Sequence, residues 1–331
     1  MSVLTDTYGR QHTYLRISLT ERCNLRCTYC MPAEGIPLSP KEHIMTADEV
    51  YGIAKLFVNH GVTKIRLTGG EPLVRKDARE IIEKLGTLPV ELGITTNAVI
   101  VDRFFDTFRE AGITKVNVSL DSLKGDQFRT ITRRDQFDIV YENLFRLLDQ
   151  GFEVKLNCVL IKGFNDNEIV DFVRMSKEHP LHVRFIEFMP FDGNKWNRDK
   201  LVSYEDVLKA VSSEFDPNQI LRISDRPNDT SRNYRIEGYQ GTFAIISTVT
   251  NPFCDSCNRI RLTANGRIKN CLFSASESDL LTPYRAGEDI VPIIQKSVIS
   301  KFKSRGGMDT QEKFQDPELY EQNRSMIAIG G

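Results

Sequence analysis

The sequence predicts an α/β protein: a parallel sheet of six strands alternating with helices, curled into a partial (β/α)6 barrel and followed by a smaller C-terminal domain. The first observation behind this is a phrase that recurs between about residues 14 and 190: a helical pattern, a glycine, then a short alternating strand. It reads His60-Gly61-Val62-Thr63-Lys64-Ile65-Arg66, then Ala111-Gly112-Ile113-Thr114-Lys115-Val116-Asn117, then Gln150-Gly151-Phe152-Glu153-Val154-Lys155-Leu156. Each glycine stands where a helix C-cap needs a left-handed residue, so each phrase is a helix-to-strand joint. The second observation is that this rhythm stops near residue 195, which divides the 331 residues into an expected barrel over 1–195 and a C-terminal unit over 196–331. The third is that the strands have two unlike faces.

Taken in order, strands are expected near 14–19, 64–68, 91–95, 115–120, 153–160 and 183–188. A helix opens at Thr46 with a Thr46-x-x-Glu49 capping box and carries Val50, Ile53, Ala54, Phe57 and Val58 on one face. Similar helical patterns cover about 101–110, 136–149 and 167–178. Parallel strands buried on both faces read as nearly continuous Val, Ile and Leu, and these do not. Leu15, Ile17 and Leu19 alternate with Tyr14, Arg16 and Ser18; Ile65 and Leu67 with Lys64, Arg66 and Thr68. Val116, Val118 and Leu120 alternate with Asn117, Ser119 and Asp121; Val154, Leu156 and Cys158 with Lys155 and Asn157. Helices must cover the apolar face, so the polar face lines a lumen that serves as a binding chamber. The alternative is a half-exposed sheet whose polar face meets water. Cys158, on the apolar face, reads as a core thiol.

Charge excludes some partners. With 44 basic and 45 acidic residues there is no global field for nucleic acid or membrane, and any polyanion must be met by a local cluster. The N-terminus lacks an apolar h-region and no run approaches eighteen apolar residues, so a soluble, cytoplasmic protein is expected. The seven cysteines fall as 23, 27, 30, then 158, then 254, 257, 271, which suits two metal sites and a spare thiol better than a disulfide framework.

Cys23-Asn-Leu-Arg-Cys27-Thr-Tyr-Cys30 follows the first strand, and three thiols so close read as metal ligands. Structural zinc wants four ligands, and the nearest histidines are His12 and His43. A four-iron cubane held by three thiolates keeps one iron open for chemistry; a zinc loop is the alternative. The second strand runs into Thr68-Gly69-Gly70-Glu71-Pro72, and in parallel sheets ligands gather at these carboxyl ends. Cys-x3-Cys-x2-Cys followed by Gly-Gly-Glu-Pro resembles the radical S-adenosylmethionine (SAM) superfamily, in which the open iron is chelated by SAM and Gly-Gly-Glu-Pro holds its amino group.

Beyond residue 195 one helical pattern lies in 197–215, a Pro-, Asn-, Asp- and Ser-rich loop in 217–233, and short strands in 233–235 and 242–246. Cys254-x2-Cys257 precedes a strand running into Asn265-Gly266, the strongest short hairpin signal, which returns Cys271 towards the first two thiols. Zinc remains an alternative at this triplet as well. Arg259 and Arg261, two apart on a strand, leave one face together as an anion site, unless they are a solvated edge pair. The terminal Gly330-Gly331 reads by default as a frayed end.

In order along the chain, these features resemble the GTP 3′,8-cyclase family, lyases that open molybdenum-cofactor biosynthesis. The resemblance implies two [4Fe-4S] clusters, on Cys23, Cys27 and Cys30 and on Cys254, Cys257 and Cys271, with GTP guanine at the second. It implies SAM contacts at Tyr29, Gly70, Ser119 and Met189, and GTP contacts at Arg16, Arg66, Thr95, Lys155 and Arg259-Ile260-Arg261. Catalytic roles are implied for Arg259, Arg261, Gly330 and Gly331, because the family's tail reaches the active site. The implied reaction takes a hydrogen from ribose C3′ of GTP with a deoxyadenosyl radical and joins C3′ to C8, giving (8S)-3′,8-cyclo-7,8-dihydroguanosine 5′-triphosphate. A homodimer and an electron donor complete the implied partners. A radical SAM peptide-modifying maturase is the nearest rival and a zinc-stabilised scaffold the non-enzyme one; Arg259-Ile260-Arg261 and the Gly-Gly end favour the cyclase.

Overall fold

The computed structural model describes residues 2–330. The described residues form one twelve-stranded sheet. Its first six strands are β1 Tyr14–Ser18, β2 Lys64–Thr68, β3 Glu91–Thr96, β4 Lys115–Ser119, β5 Glu153–Leu160 and β6 His182–Glu187. All six lie within one residue of the expected bounds. The rest are β7 Ile220–Ile223, β8 Arg232–Ile236, β9 Thr242–Ile246, β10 Arg259–Leu262, β11 Arg267–Lys269 and β12 Ser278–Asp279. The sheet order is β12-β11-β10-β1-β2-β3-β4-β5-β6-β9-β8-β7, an open arrangement whose central strands are parallel.

The C-terminal half supplies both flanks. β9 pairs parallel with β6 and β10 parallel with β1, so the parallel run has eight strands where the βα rhythm indicates six. The rhythm cannot reveal these two, because neither is joined to its neighbour by a single crossover helix. β7 falls inside the stretch 217–233 expected to be loop; four residues, none of them buried, carry too little alternation to announce a strand.

Helices α1 Ala47–Asn59, α2 Ala78–Gly86 and α3 Phe105–Glu110 follow β1, β2 and β3, α4 Gly125–Thr132 and α5 Phe137–Asp149 both follow β4, α6 Ile169–Met175 follows β5, and α7 Tyr204–Ser212 follows β6. The capping box forms at α1: Glu49 N donates to Thr46 Oγ1 at 3.3 Å and Thr46 N to Glu49 Oε2 at 2.7 Å. Gly112 and Gly151 adopt φ of +69° and +81° at the helix ends, as a left-handed cap requires. Val50, Ile53 and Phe57 of α1 and Ile81, Ile82 and Leu85 of α2 are buried in one core with Leu15, Ile17, Ile65 and Leu67. Each such side chain contributes about 1.5–3 kcal/mol of burial, which forces the alternate residues inward. Cys158 is buried in this core, as its place on the apolar face requires.

A second, aromatic core gathers Phe188, Phe191, Trp196, Phe273, Phe314 and Tyr320. Phe191 stacks on Phe273 at 5.9 Å, and Trp196 Nε1 donates to Phe188 O at 2.8 Å. This cluster anchors the polar C-terminal stretch on the barrel mouth.

Candidate active site

The polar strand faces enclose a cavity of about 820 Å³. Arg16, Arg66, Asn117, Ser119, Lys155 and Asn157 line it, the residues whose alternation marks the lumen face. The row Thr95, Asn117, Lys155, His182, Thr242 runs across five adjacent strands, and Arg66, Arg16 and Arg261 stand side by side on β2, β1 and β10.

The two cysteine triplets lie at opposite ends of this one cavity. Cys23, Cys27 and Cys30 follow the carboxyl end of β1, whereas Cys254 and Cys257 precede its parallel neighbour β10 and Cys271 follows the antiparallel β11. A five-residue strand therefore separates them, roughly 16 Å of rise. Cys23, Cys27, Cys30, Cys254 and Cys271 all border the cavity, and none of the six thiols is in a disulfide. Among the described residues, no group of three or more His, Cys, Asp or Glu is drawn together as a site for a single metal ion.

At the first end, buried Glu71 knots two loops together. It accepts from Leu73 N at 3.1 Å, Thr96 Oγ1 at 2.8 Å and Asn97 N at 2.7 Å. Asn97 Nδ2 lies 3.7 Å from Cys23 Sγ, so the β2 and β3 loops reach the thiols as one unit. Gly70 must be glycine, because a Cβ there would stand 2.3 Å from Arg22 O. Tyr29 donates to Asp121 Oδ2 at 2.8 Å, while Ser119, at the end of β4, and Met189, just past β6, face the same space. Burial, reinforced by Glu71, raises Cys23 to about 11, and burial raises Cys27 and Cys30 as well.

Between the ends the wall is cationic. Arg66 Nε donates to Tyr14 Oη at 2.7 Å and its Nη1 to Ile94 O at 2.9 Å. Burial, then the neighbouring Arg184 and Arg66, lower Lys155 to about 8; burial and Arg16 lower Arg261 to about 9. Arg184 of β6 is absent from the expected site residues, yet it lines the cavity beside Lys155. Burial and then Arg66 lower it to about 9, and its Nε has no hydrogen-bond partner among the described residues. Its signal was present: Val183 and Phe185 alternate with His182 and Arg184 just as in β5. Thr95 Oγ1 is likewise buried without a hydrogen-bond partner among the described residues. Arg259 and Arg261 both border the cavity; Arg259 Nη2 donates to Asn228 O at 2.6 Å, in the loop after β7. Ile260 between them is buried in the opposite, apolar core, so only its backbone faces this way.

Two cations brace the second end. Lys301 Nζ lies 3.5 Å from Cys257 Sγ and donates to Arg259 O at 2.8 Å. Burial alone would raise Cys257, but Lys301 and Arg259 pull it down to about 7. Arg10 donates to Cys254 O at 2.8 Å and to Lys303 O at 2.7 Å. The tail then straps the two ends. Asn323 Nδ2 donates to Leu272 O at 2.9 Å, Ser325 Oγ to Cys30 O at 2.8 Å, and Arg261 Nη1 to Gly330 O. Gly331 lies outside the described residues.

An open parallel α/β barrel with a Cys-x3-Cys-x2-Cys loop on its first strand defines a radical SAM fold. Comparison with known proteins agrees: residues 17–176 match the Radical SAM superfamily and residues 181–306 match Molybdenum Cofactor Synthesis C. The chain is 45% identical over 335 residues to GTP 3′,8-cyclase, mitochondrial, of Arabidopsis thaliana, covering 99% of this chain and 84% of that protein. It is 46% identical over 319 residues to molybdenum cofactor biosynthesis protein moc-5 of Caenorhabditis elegans, covering 94% of this chain and 52% of that protein. It thus spans about half the length of several curated relatives it matches. Among solved structures, Streptococcus suis SuiB bound to S-adenosylmethionine superposes with a TM-score of 0.61 at 15% identity, over 89% of this chain and 69% of that one. The chain belongs to the GTP 3′,8-cyclase family of the radical SAM superfamily.

Proposed function

We propose that this protein converts GTP to (8S)-3′,8-cyclo-7,8-dihydroguanosine 5′-triphosphate, using SAM and two [4Fe-4S] clusters. The observation that carries this reading is the pair of thiol triplets at opposite ends of one cavity with guanidinium groups between them. Both triplets offer only thiols, a donor set suited to iron–sulfur clusters. Cys23, Cys27 and Cys30 hold the first cluster and Cys254, Cys257 and Cys271 the second. When bound, the first cluster with SAM supplies the 5′-deoxyadenosyl radical that takes hydrogen from ribose C3′.

The chain's own groups bind, orient and exclude water. Tyr29, Gly70, Ser119 and Met189 border the SAM end. Arg16, Arg66, Lys155 and Arg184 take the triphosphate, with Thr95 and the Arg259-Ile260-Arg261 run beside them. Forked guanidinium donors suit phosphate oxygens, and pairing is strong in so enclosed a site. Such positioning holds ribose near the first end and the base near the second, so the reacting carbons are prealigned. Gly330 closes the chamber from the tail, held by Arg261, and a catalytic role is proposed for Gly331 as well. Residues 1–195 act as the radical SAM unit and 196–331 as the substrate unit, in a cytoplasmic homodimer served by a separate electron donor. Among the described residues no helix is long and apolar enough to cross a membrane.

The test is an anaerobic incubation with SAM, GTP and a reductant, followed for 5′-deoxyadenosine and cyclised nucleotide. Both products are expected, from protein carrying about eight irons per chain. Deoxyadenosine formation that ignores GTP would reject the substrate, and about four irons would reject the second cluster.

A further inference from the structure

We propose that Tyr14 is an exchangeable counter-ion for the substrate's phosphate chain: its phenolate oxygen occupies the Arg66 guanidinium until a polyphosphate displaces it and Tyr14 takes up a proton. This rests on the reading above that the cavity binds GTP.

Tyr14 opens β1 on the lumen face, paired in register with Lys64 of β2 and Arg259 of β10. Its oxygen accepts from Arg66 Nε at 2.7 Å, while Lys64 Nζ and Arg259 Cζ lie 5.3 and 5.9 Å from its ring centre. Cations face it from every side: Arg16 on its own strand, Lys64 and Arg66 from β2, Arg184 from β6, and Arg259 and Arg261 from β10. Two carboxylates offset part of this charge: Glu91 Oε1 of β3 pairs with Lys64 Nζ at 2.9 Å, and Asp229 reaches Arg184 and Lys155. Burial would raise Tyr14, but Arg66, Arg16 and Lys64 pull it down to about 7. The surrounding cations therefore favour its ionised form at pH 8. So many buried cations in one chamber repel one another, and a nearby phenolate relieves them while the chamber lacks its anion.

A triphosphate reverses the balance. Its oxygens take the Arg66 donor, and their charge raises Tyr14 again. The proton comes from solvent, the bond formed is the phenolic O–H, and nothing is oxidised or reduced. A tyrosine that merely packs and hydrogen-bonds would stay protonated throughout.

The experiment is calorimetric titration of cluster-loaded enzyme with GTP at pH 8, without reductant, in buffers of different ionisation enthalpy. Wild-type protein should take up close to one proton more than Tyr14→Phe; equal uptake overturns the proposal. Lys155 takes up protons in both, and because Tyr14 also acts on Arg184 and Arg261, the tyrosinate band reads the share of Tyr14 itself. As a check independent of the variant's folding, inorganic triphosphate added to wild type should diminish the near-ultraviolet tyrosinate band, and an unchanged band overturns the proposal. Inorganic triphosphate binding as well as GTP, with that loss, would sink the nucleotide reading and keep the exchange. Failure of both ligands to bind would sink both.

Discussion

Arg261 donates through Nη1 to the carbonyl oxygen of Gly330, a residue 69 positions further along the chain. The contact draws the C-terminal tail into the barrel, where a Cβ on Gly330 would stand 2.5 Å from Thr68 Oγ1 and 3.0 Å from Ser18 Cβ. The tail is thus packed against the carboxyl ends of β1 and β2, beside the first thiol triplet.

Gly330→Ala should therefore dislodge the tail without unfolding the barrel. A hydrogen bond to a charged group contributes about 1.5–3 kcal/mol, so kcat/KM should fall about ten- to a hundredfold. Iron content should not change, while Tm should fall by a few degrees at most, because Ile327 and Ile329 leave buried positions and the barrel core stays intact. Steady-state deoxyadenosine formation checks this, and full turnover would remove the tail from the site.

Arg184→Met should weaken GTP binding while making the empty protein more stable. The guanidinium is buried among like charges, and Arg66 and burial already lower it to about 9. Removing it relieves repulsion yet deletes a forked phosphate donor. Calorimetry should show about tenfold or greater loss of GTP affinity, with a raised Tm; a lowered Tm would mean Arg184 is a structural partner instead.

Glu71→Gln should loosen the SAM end. Three donors converge on this carboxylate, and the amide turns an NH2 group towards them. Leaving a buried donor unmet costs about 1–3 kcal/mol, so Tm should drop by a few degrees and SAM affinity with it. Equilibrium unfolding and SAM titration test both, and unchanged values would show that the loops hold without the knot.

His182 sets an acid limit on the fold. Burial, then Arg184 and Lys155, lower its pKa to about 3, while Thr242 Oγ1 hydrogen-bonds its ring. The unfolded chain binds this proton below about 6.5 and the folded chain only near 3. The group therefore supports the fold fully above about 6.5, and that support is lost as pH falls towards 3, by up to about 1.4 kcal/mol per pH unit. The stability difference between wild type and His182→Asn should shrink with this slope in urea titrations from pH 7 to 4; a constant difference would contradict a neutral buried imidazole.

The barrel was legible because its signals are local. A glycine cap, a period of two and a capping box each involve residues a few positions apart, so β1 to β6 and the face carrying Arg16, Arg66 and Lys155 follow from the chain alone. The same alternation, Val183 and Phe185 against His182 and Arg184, marks Arg184 on the lumen face of β6. Ile260 shows the limit of a contiguous run, since neighbours on a strand face opposite ways and only Arg259 and Arg261 reach the cavity.

By itself the sequence determined the thiol spacings, the two-faced strands and the helices that cover them, since spacing and hydrophobic period act within one element. Tertiary structure alone decided that β9 and β10 flank the parallel sheet, that the two triplets share one chamber, and that Gly330 meets Arg261. Those are pairings between segments far apart in the chain. They are chosen by which sheet edge is open and which charge is unmet after folding, and no local pattern encodes either.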